Sequence, residues 1–159
     1  MEIERKFLIT NIPFALDSYS HKELEQGYLS TEPVVRVRKE DDEYYLTYKS
    51  SGLLAREEYN LLLTEKSFHQ LIKKADGIII TKTRYYLPIE HHLTIELDIF
   101  HEKLAPLIIA EVEFPTKEDA LSFSPLPWFQ KEVTYDGCYH NNFLCMNGLP
   151  LDFQKNELP

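Results

Sequence analysis

Acidic and basic side chains recur in this sequence as same-sign pairs two residues apart. Arg36/Arg38 and Lys82/Arg84 are basic; Glu96/Asp98 and Glu111/Glu113 are acidic; Glu2/Glu4 is followed at the same spacing by Lys6. Lys49 and the pair Arg56/Glu58 continue the series. Side chains two apart share a face of an extended strand, so each pair presents its charges on one side. Arg matches the bidentate geometry of phosphate oxygens. Paired carboxylates are the hard oxygen donors that Mg²⁺ or Mn²⁺ prefers. A sheet with one wet face would show the same alternation, but solvated surfaces intersperse the two signs. These residues therefore point to an anion and a cation held together, as in a metal-bound phosphate chain.

The remaining reactive types form no competing site. No Ser-His-Asp or Cys-His constellation suggests a covalent route. Cys138 and Cys145 stand seven apart, at no zinc-site spacing, and suit plain thiols in a reducing compartment. His91-His92 has no second ligand cluster nearby and suits a polar turn.

The charged pairs need strands, and short alternating runs supply them near 2–8, 25–30, 34–39, 43–49, 55–63, 78–87, 92–100 and 107–114. Glu40-Asp41-Asp42-Glu43 turns one hairpin. Thr64 caps a helix with apolar face Phe68, Leu71, Ile72 and Ala75, stopped by Gly77. Thr116, with Asp119 three residues on, caps another that ends before Pro125. Further helices are expected at about 18–24 and 137–147. The fold class is mainly β with helices (α+β): eight antiparallel strands closed into a barrel, with peripheral helices. Closure removes sheet edges and leaves an interior wide enough for side chains or one small ligand. Apolar faces turned outward to helices would put the charged faces inside. Buried like charges cost several kcal/mol each unless compensated, so such an interior requires bound counterions.

At 159 residues and 43% hydrophobic, the chain makes one globular domain, expected over 1–150 with a tail at 151–159. Its net charge of −9 argues against nucleic acid as partner. No apolar run is long enough for a membrane span, and Met1-Glu2-Ile3-Glu4-Arg5-Lys6 has no secretory character, so a cytoplasmic location is expected.

With Glu2-Ile3-Glu4-Arg5-Lys6 (an ExExK signature) followed in order by the pairs above, residues 2 to about 145 resemble the CYTH superfamily, the triphosphate tunnel metalloenzymes. Pro127-Trp128-Phe129 and Glu132-Val133-Thr134 make the short bacterial inorganic triphosphatases the most similar members. The resemblance implies metal-dependent hydrolysis of tripolyphosphate to pyrophosphate and phosphate. It assigns a divalent metal, Mg²⁺ or Mn²⁺, to Glu2, Glu4, Glu111 and Glu113, with Glu96 and Asp98 nearby. It assigns the phosphates to Lys6, Arg36, Arg38, Lys49, Arg56, Lys82 and Arg84. Tyr28 matches a tyrosine at the tunnel, and Glu4, Glu58, Tyr28 and Lys6 are the candidate catalytic residues, Glu4 or Glu58 as base. The family's C-terminal helix often brings a basic residue to the tunnel. Asp136-Gly137-Cys138-Tyr139-His140 has none, leaving Lys131 as a substitute. Two rivals stand: nucleoside or thiamine triphosphate hydrolysis or ATP cyclisation in the same tunnel, with Trp128 as a platform, and a non-catalytic polyphosphate-binding module.

Overall fold

A computed structural model describes residues 1–153 of the chain. Among the described residues nine strands form one antiparallel sheet: β1 (Glu2–Leu8), β2 (His21–Thr31), β3 (Val34–Glu40), β4 (Glu43–Lys49), β5 (Ala55–Arg56), β6 (Glu58–Leu62), β7 (Asp76–Pro88), β8 (Thr94–Phe100) and β9 (Ile108–Glu113). Their order is β5-β1-β9-β8-β7-β2-β3-β4-β6. The two ends of that order are consecutive in sequence. One strand was expected over 55–63; instead it breaks at Glu57, β5 pairing with β1 and β6 with β4. This broken strand brings the sheet round into a nearly closed barrel. Beyond β5, the free edge of β1 is paired by the segment after 129: Gln130 N donates to Leu8 O (2.9 Å), Leu8 N to Lys131 O (2.8 Å) and Val133 N to Lys6 O (2.9 Å).

Side-chain parity explains where the core lies. Outward residues of β1, β7, β8 and β9, including Phe7, Leu87, Ile95, Leu97 and Val112, are buried beneath Phe114, Ala120 and Phe129. The inward faces are charged along most of their length. At one end they turn apolar: Leu8, Val34, Ile80, Phe100 and Ile109 continue the inward parity of β1, β3, β7, β8 and β9. They pack on Val133, Tyr139, Leu144 and Cys145 from the C-terminal region. The barrel is a charged cup with an apolar floor. On β4 the Tyr44 ring packs against Phe68 at 5.2 Å between centroids, whereas Tyr59 and Leu61 of β6 are exposed.

Helix α1 (Glu65–Ile72) starts as expected, the Thr64 hydroxyl accepting from Ser67 N, and buries Phe68. Its stop differs: Gly77 lies inside β7 with φ +71, where a Cβ would sit 2.2 Å from Cys145 O. Helix α2 (Lys117–Ser122) is capped by Thr116, which accepts from Asp119 N. The helix expected at 18–24 is not formed. His21 to Gln26 instead pair with Tyr85 to Ile80 of β7, a ladder of backbone hydrogen bonds that an isolated helical turn cannot match. The helix expected over 137–147 divides at His140, whose ψ of 144° is extended, into a 3-10 turn (Gly137–Tyr139) and α3 (Asn141–Asn147). Of the expected tail, 151–153 are helical and Phe153 packs against the floor; 154–159 lie outside the described residues. Glu90-His91-His92 is the polar turn between β7 and β8. Both cysteines are free. Among the described residues no helix is long and apolar enough to cross a membrane.

Candidate active site

The inward faces enclose a cavity of ≈320 Å³. All seven expected phosphate ligands line it: Lys6, Arg36, Arg38, Lys49, Arg56, Lys82 and Arg84. So do Glu2, Glu4, Glu58, Glu96, Glu111, Glu113 and Tyr28. The alternation that put these residues on common faces is realised, because each strand keeps its pleat through the site.

Cross-strand register sorts the charges into pairs. Lys6 lies opposite Glu111 and its Nζ is 2.8 Å from Glu111 Oε1 and 2.8 Å from Glu4 Oε1. Burial lowers the Lys6 pKa, but Glu111 and Glu4 outweigh it and hold the ammonium charged. Lys49 Nζ is 3.0 Å from Glu2 and 3.3 Å from Glu58; Arg56 is 3.7 Å from Glu2. Glu58 is pushed up by burial, but Lys49 together with hydrogen bonds to Glu2, Asn60 and Lys49 outweighs it and leaves Glu58 below its ordinary range.

Asp98 is the exception to the sequence expectation. It is fully buried and does not line the cavity. Opposite Arg84 in the β7–β8 register, it accepts from Arg84 Nε (2.7 Å) and Nη2 (2.9 Å), while its Oδ2 also accepts from Lys82 Nζ at 2.7 Å. Burial would raise its pKa, but Arg84 and Lys82 hold it down. With its oxygens so engaged, Asp98 is a counterion to two phosphate-facing cations rather than a free metal donor. Arg84 also contacts Glu96 and, at 3.3 Å, Glu111.

What the pairing leaves over is informative. Arg38, desolvated and beside Arg36 and Arg84, is lowered to about 10. Arg36 Nε is buried with no hydrogen-bond partner. A buried charge-bearing donor without an acceptor is costly, and these guanidinium groups face the cavity. On the acidic side Glu113 is pushed up to about 7, by desolvation and then by Glu2, Glu4, Glu58 and Glu96. The cavity thus holds a self-repelling basic cluster on β3 and β7 and a self-repelling acidic cluster on β1, β6, β8 and β9. Among the described residues no three His, Cys, Asp or Glu close a ready-made metal cage. An Mg²⁺-type ion needs only one or two carboxylates plus phosphate and water, and mutually repelling oxygen donors are the chemistry it fits.

Tyr28 is buried at the cavity wall where β2 shifts register against both neighbours, a bulge that re-aims the side chain. Gly27 beside it is required by close approach: a Cβ would lie 2.7 Å from Ala75 Cβ. Lys131 does not substitute for a C-terminal cation; it is exposed and 3.7 Å from Asp152. The C-terminal contribution is made by Asn141 and Asn142 of α3, which line the cavity. Trp128 stacks edge-on against Phe14 and Phe129 outside the barrel and offers no platform to the site. Glu40, Tyr45, Thr47, Asn60 and Tyr86 also line the cavity and Gln26 accepts from Arg38 behind it, none of them marked by the charged pairs in the sequence. Tyr45 and Thr47 carry the period of Lys49 inward along β4, so period alone could have found them.

A family model described as the CYTH domain matches residues 1–132. The chain is 39% identical over 150 residues to the inorganic triphosphatase of Nitrosomonas europaea, covering 92% of this chain and 97% of that protein. It superposes on the crystal structure of the inorganic triphosphatase NE1496 with a TM-score of 0.70 at 35% identity, covering 94% of this chain and 97% of the other. The fold is shared, at 16% identity and a TM-score of 0.60, with HpAC1 from Hippeastrum, whose dominant activity is described as that of a triphosphatase, over 76% and 83% of the two chains.

Proposed function

Because this chain belongs to the CYTH-domain family, we propose that it hydrolyses inorganic triphosphate to pyrophosphate and phosphate inside its barrel. The observation that carries this reading is the pair of unbalanced charge clusters facing one cavity, each needing the counterion that a metal-bound triphosphate supplies. A divalent cation follows from family membership; Mg²⁺ or Mn²⁺ suits the oxygen donors, with Glu2, Glu4, Glu111 and Glu113 as its holders and Glu96 beside them. When bound, such an ion neutralises phosphate charge and favours ionisation of water.

The chain's own residues do the rest. Arg36, Arg38, Lys82 and Arg84 grip the phosphate oxygens from one side, with Lys6, Lys49 and Arg56 from the other. Their role is orientation and electrostatic stabilisation of the charge that spreads over the transferred phosphoryl group. Water attacks the terminal phosphorus in line with the departing P–O bond, and its proton passes to a carboxylate. Glu58, kept ionised by Lys49, serves as that base, with Glu4 the second candidate. Tyr28 lines the cavity and its hydroxyl accepts from Gln26 Nε2 at 3.3 Å, which leaves its O–H to donate a hydrogen bond to the departing pyrophosphate. The whole site falls within 1–150, so that segment is the functional unit. Two free thiols support a reducing, cytoplasmic setting.

The test is a comparison of kcat/KM for tripolyphosphate, ATP, thiamine triphosphate and pyrophosphate, each with Mg²⁺ and with Mn²⁺. Tripolyphosphate is expected to lead, because the nucleoside of ATP must remain at the mouth. A preference for ATP, or cyclic AMP among the products, would move the assignment to nucleotide chemistry. Binding without turnover would make the chain a polyphosphate-binding module.

A further inference from the structure

We infer that Gln26 and Asn141 are positioning residues: a neutral amide relay that aims two phosphate-facing cations, Arg38 and Lys82, and couples them to the C-terminal helix. The relay spans four elements. Arg38 on β3 donates from Nε to Gln26 Oε1 on β2 at 2.8 Å. Gln26 Nε2 donates to Asn141 Oδ1 on α3 at 3.1 Å, and Lys82 Nζ on β7 donates to that same oxygen at 3.0 Å.

The donors at its ends dictate how the amides are turned. Arg and Lys can only donate. Gln26 must therefore give its oxygen to Arg38, which leaves its NH₂ for Asn141. Asn141 must give its oxygen to Lys82, and that oxygen also receives the Gln26 proton. No other assignment satisfies all the contacts. Burial lowers Lys82 to about 7 and Asp98 opposes it in favour of the ammonium. Of the ammonium's three N–H groups, one is taken by Asp98 at 2.7 Å and one by Asn141. The third is left for the cavity that Lys82 lines. Gln26 and Lys82 are completely buried and Asn141 is nearly so, so bulk solvent does not reach these bonds while the side chains are in place.

The choice of amides fits the charges around them. A Lys or Arg at position 141 would add a like charge beside Lys82, in a basic cluster that already repels itself. A carboxylate there would compete with phosphate for the Lys82 ammonium. An amide fixes direction and leaves the charge of the site unchanged. The apolar side of α3 makes the placement firm, since Leu144 and Cys145 are buried in the barrel floor.

This inference rests on the phosphate role proposed for Lys82 and Arg38. It is tested by calorimetric titration of the protein with tripolyphosphate in EDTA, where binding is read apart from turnover. The proteins compared are wild type, Asn141→Ala, Lys82→Ala and the double variant, each also followed by thermal unfolding. Asn141→Ala is expected to weaken binding about tenfold, and the double variant to lose no more than Lys82→Ala alone, because the amide acts through the lysine. Additive losses, or a lowered Tm with wild-type affinity, would reduce Asn141 to a structural tie and overturn the inference. Gln26→Leu with Arg38→Ala forms a second cycle, which decides the matter where Asn141→Ala does not fold. Tripolyphosphate bound normally by wild type but never hydrolysed once Mg²⁺ or Mn²⁺ is supplied would overturn the proposed reaction and leave the relay standing. Failure of wild type to bind it in EDTA and with Mg²⁺ alike would overturn both.

Discussion

Arg38 and Lys82 belong to the same basic cluster, yet their surroundings separate the consequences of losing each. Lys82 is completely buried and holds Asp98 and Asn141. Desolvation, with Arg84 and Arg38 acting against the pull of Asp98, lowers Lys82 to about 7. Asp98 keeps both Arg84 hydrogen bonds without it, so Lys82→Ala should lower turnover and cost less stability than the roughly 3 kcal/mol of breaking a buried pair outright. Arg38 is repelled by Arg36 and Arg84, and its removal relieves that repulsion. Arg38→Ala should therefore lower kcat/KM at least tenfold, on the roughly 2–5 kcal/mol scale for truncating a buried charge partner, while Tm changes little. Lys117→Ala, on exposed α2, is the control and should alter neither. Near wild-type turnover in both barrel variants would mean that the cavity is not where phosphate is held. The charged pairs were legible because a period of two needs only the local sequence. The role of Asp98 was not, since it depends on the β7–β8 register, which joins residues 14 and 16 apart.

Among the elements, the turn at His140 and helix α3 carry the parts of the site that sequence alone did not disclose. The 137–147 stretch reads as one helix because nothing in its composition marks the extended backbone at His140. That break is imposed by packing on the barrel floor, and it is what brings Asn141 to the cavity. His140 is itself buried, its Nε2 2.9 Å from Thr134 O. Desolvation, with Lys6 and Arg56 nearby, lowers it to about 4 from an ordinary 6.5. A folded pKa below the unfolded one means that the unfolded chain binds the extra proton first. This contribution is fully present above about pH 6.5 and is lost as pH falls toward 4. Glu113, pushed up to about 7, titrates across the same window with the opposite sign, so the His140 contribution is read as a difference. The Tm of His140→Gln relative to wild type should rise as pH falls from about 6.5 toward 4, and parallel profiles for the two proteins would contradict it. Gly77→Ala tests the same region from β7. Its φ of +71 and the 2.2 Å approach of Cys145 O leave no room for a Cβ. The variant should be destabilised by more than about 1 kcal/mol and should lose activity with it, because α3 must shift. Strand existence was legible throughout; the break at Glu57 was not, because it serves ring closure between β1 and β4.

For the molecule as a whole, the inversion of the usual arrangement is the central feature: the apolar core is outside the barrel and beneath its floor, and the charge is within. Alternation in the sequence revealed two faces per strand, and like-signed pairing indicated which face held a ligand. The floor was not foreseen, because Leu8, Val34, Ile80, Phe100 and Ile109 each look unremarkable in their own strand and become a layer only when the barrel closes. Because the cavity carboxylates repel one another and would repel the substrate, activity should vanish in EDTA and return with Mg²⁺ or Mn²⁺; full turnover by metal-stripped protein would contradict the role of the acids. The most direct measurement is phosphorus NMR of tripolyphosphate incubated with the purified chain and Mg²⁺. The account predicts one phosphate and one pyrophosphate for each triphosphate consumed, with the reaction abolished in Arg38→Ala. Unchanged tripolyphosphate, or products formed equally fast by that variant, would contradict it.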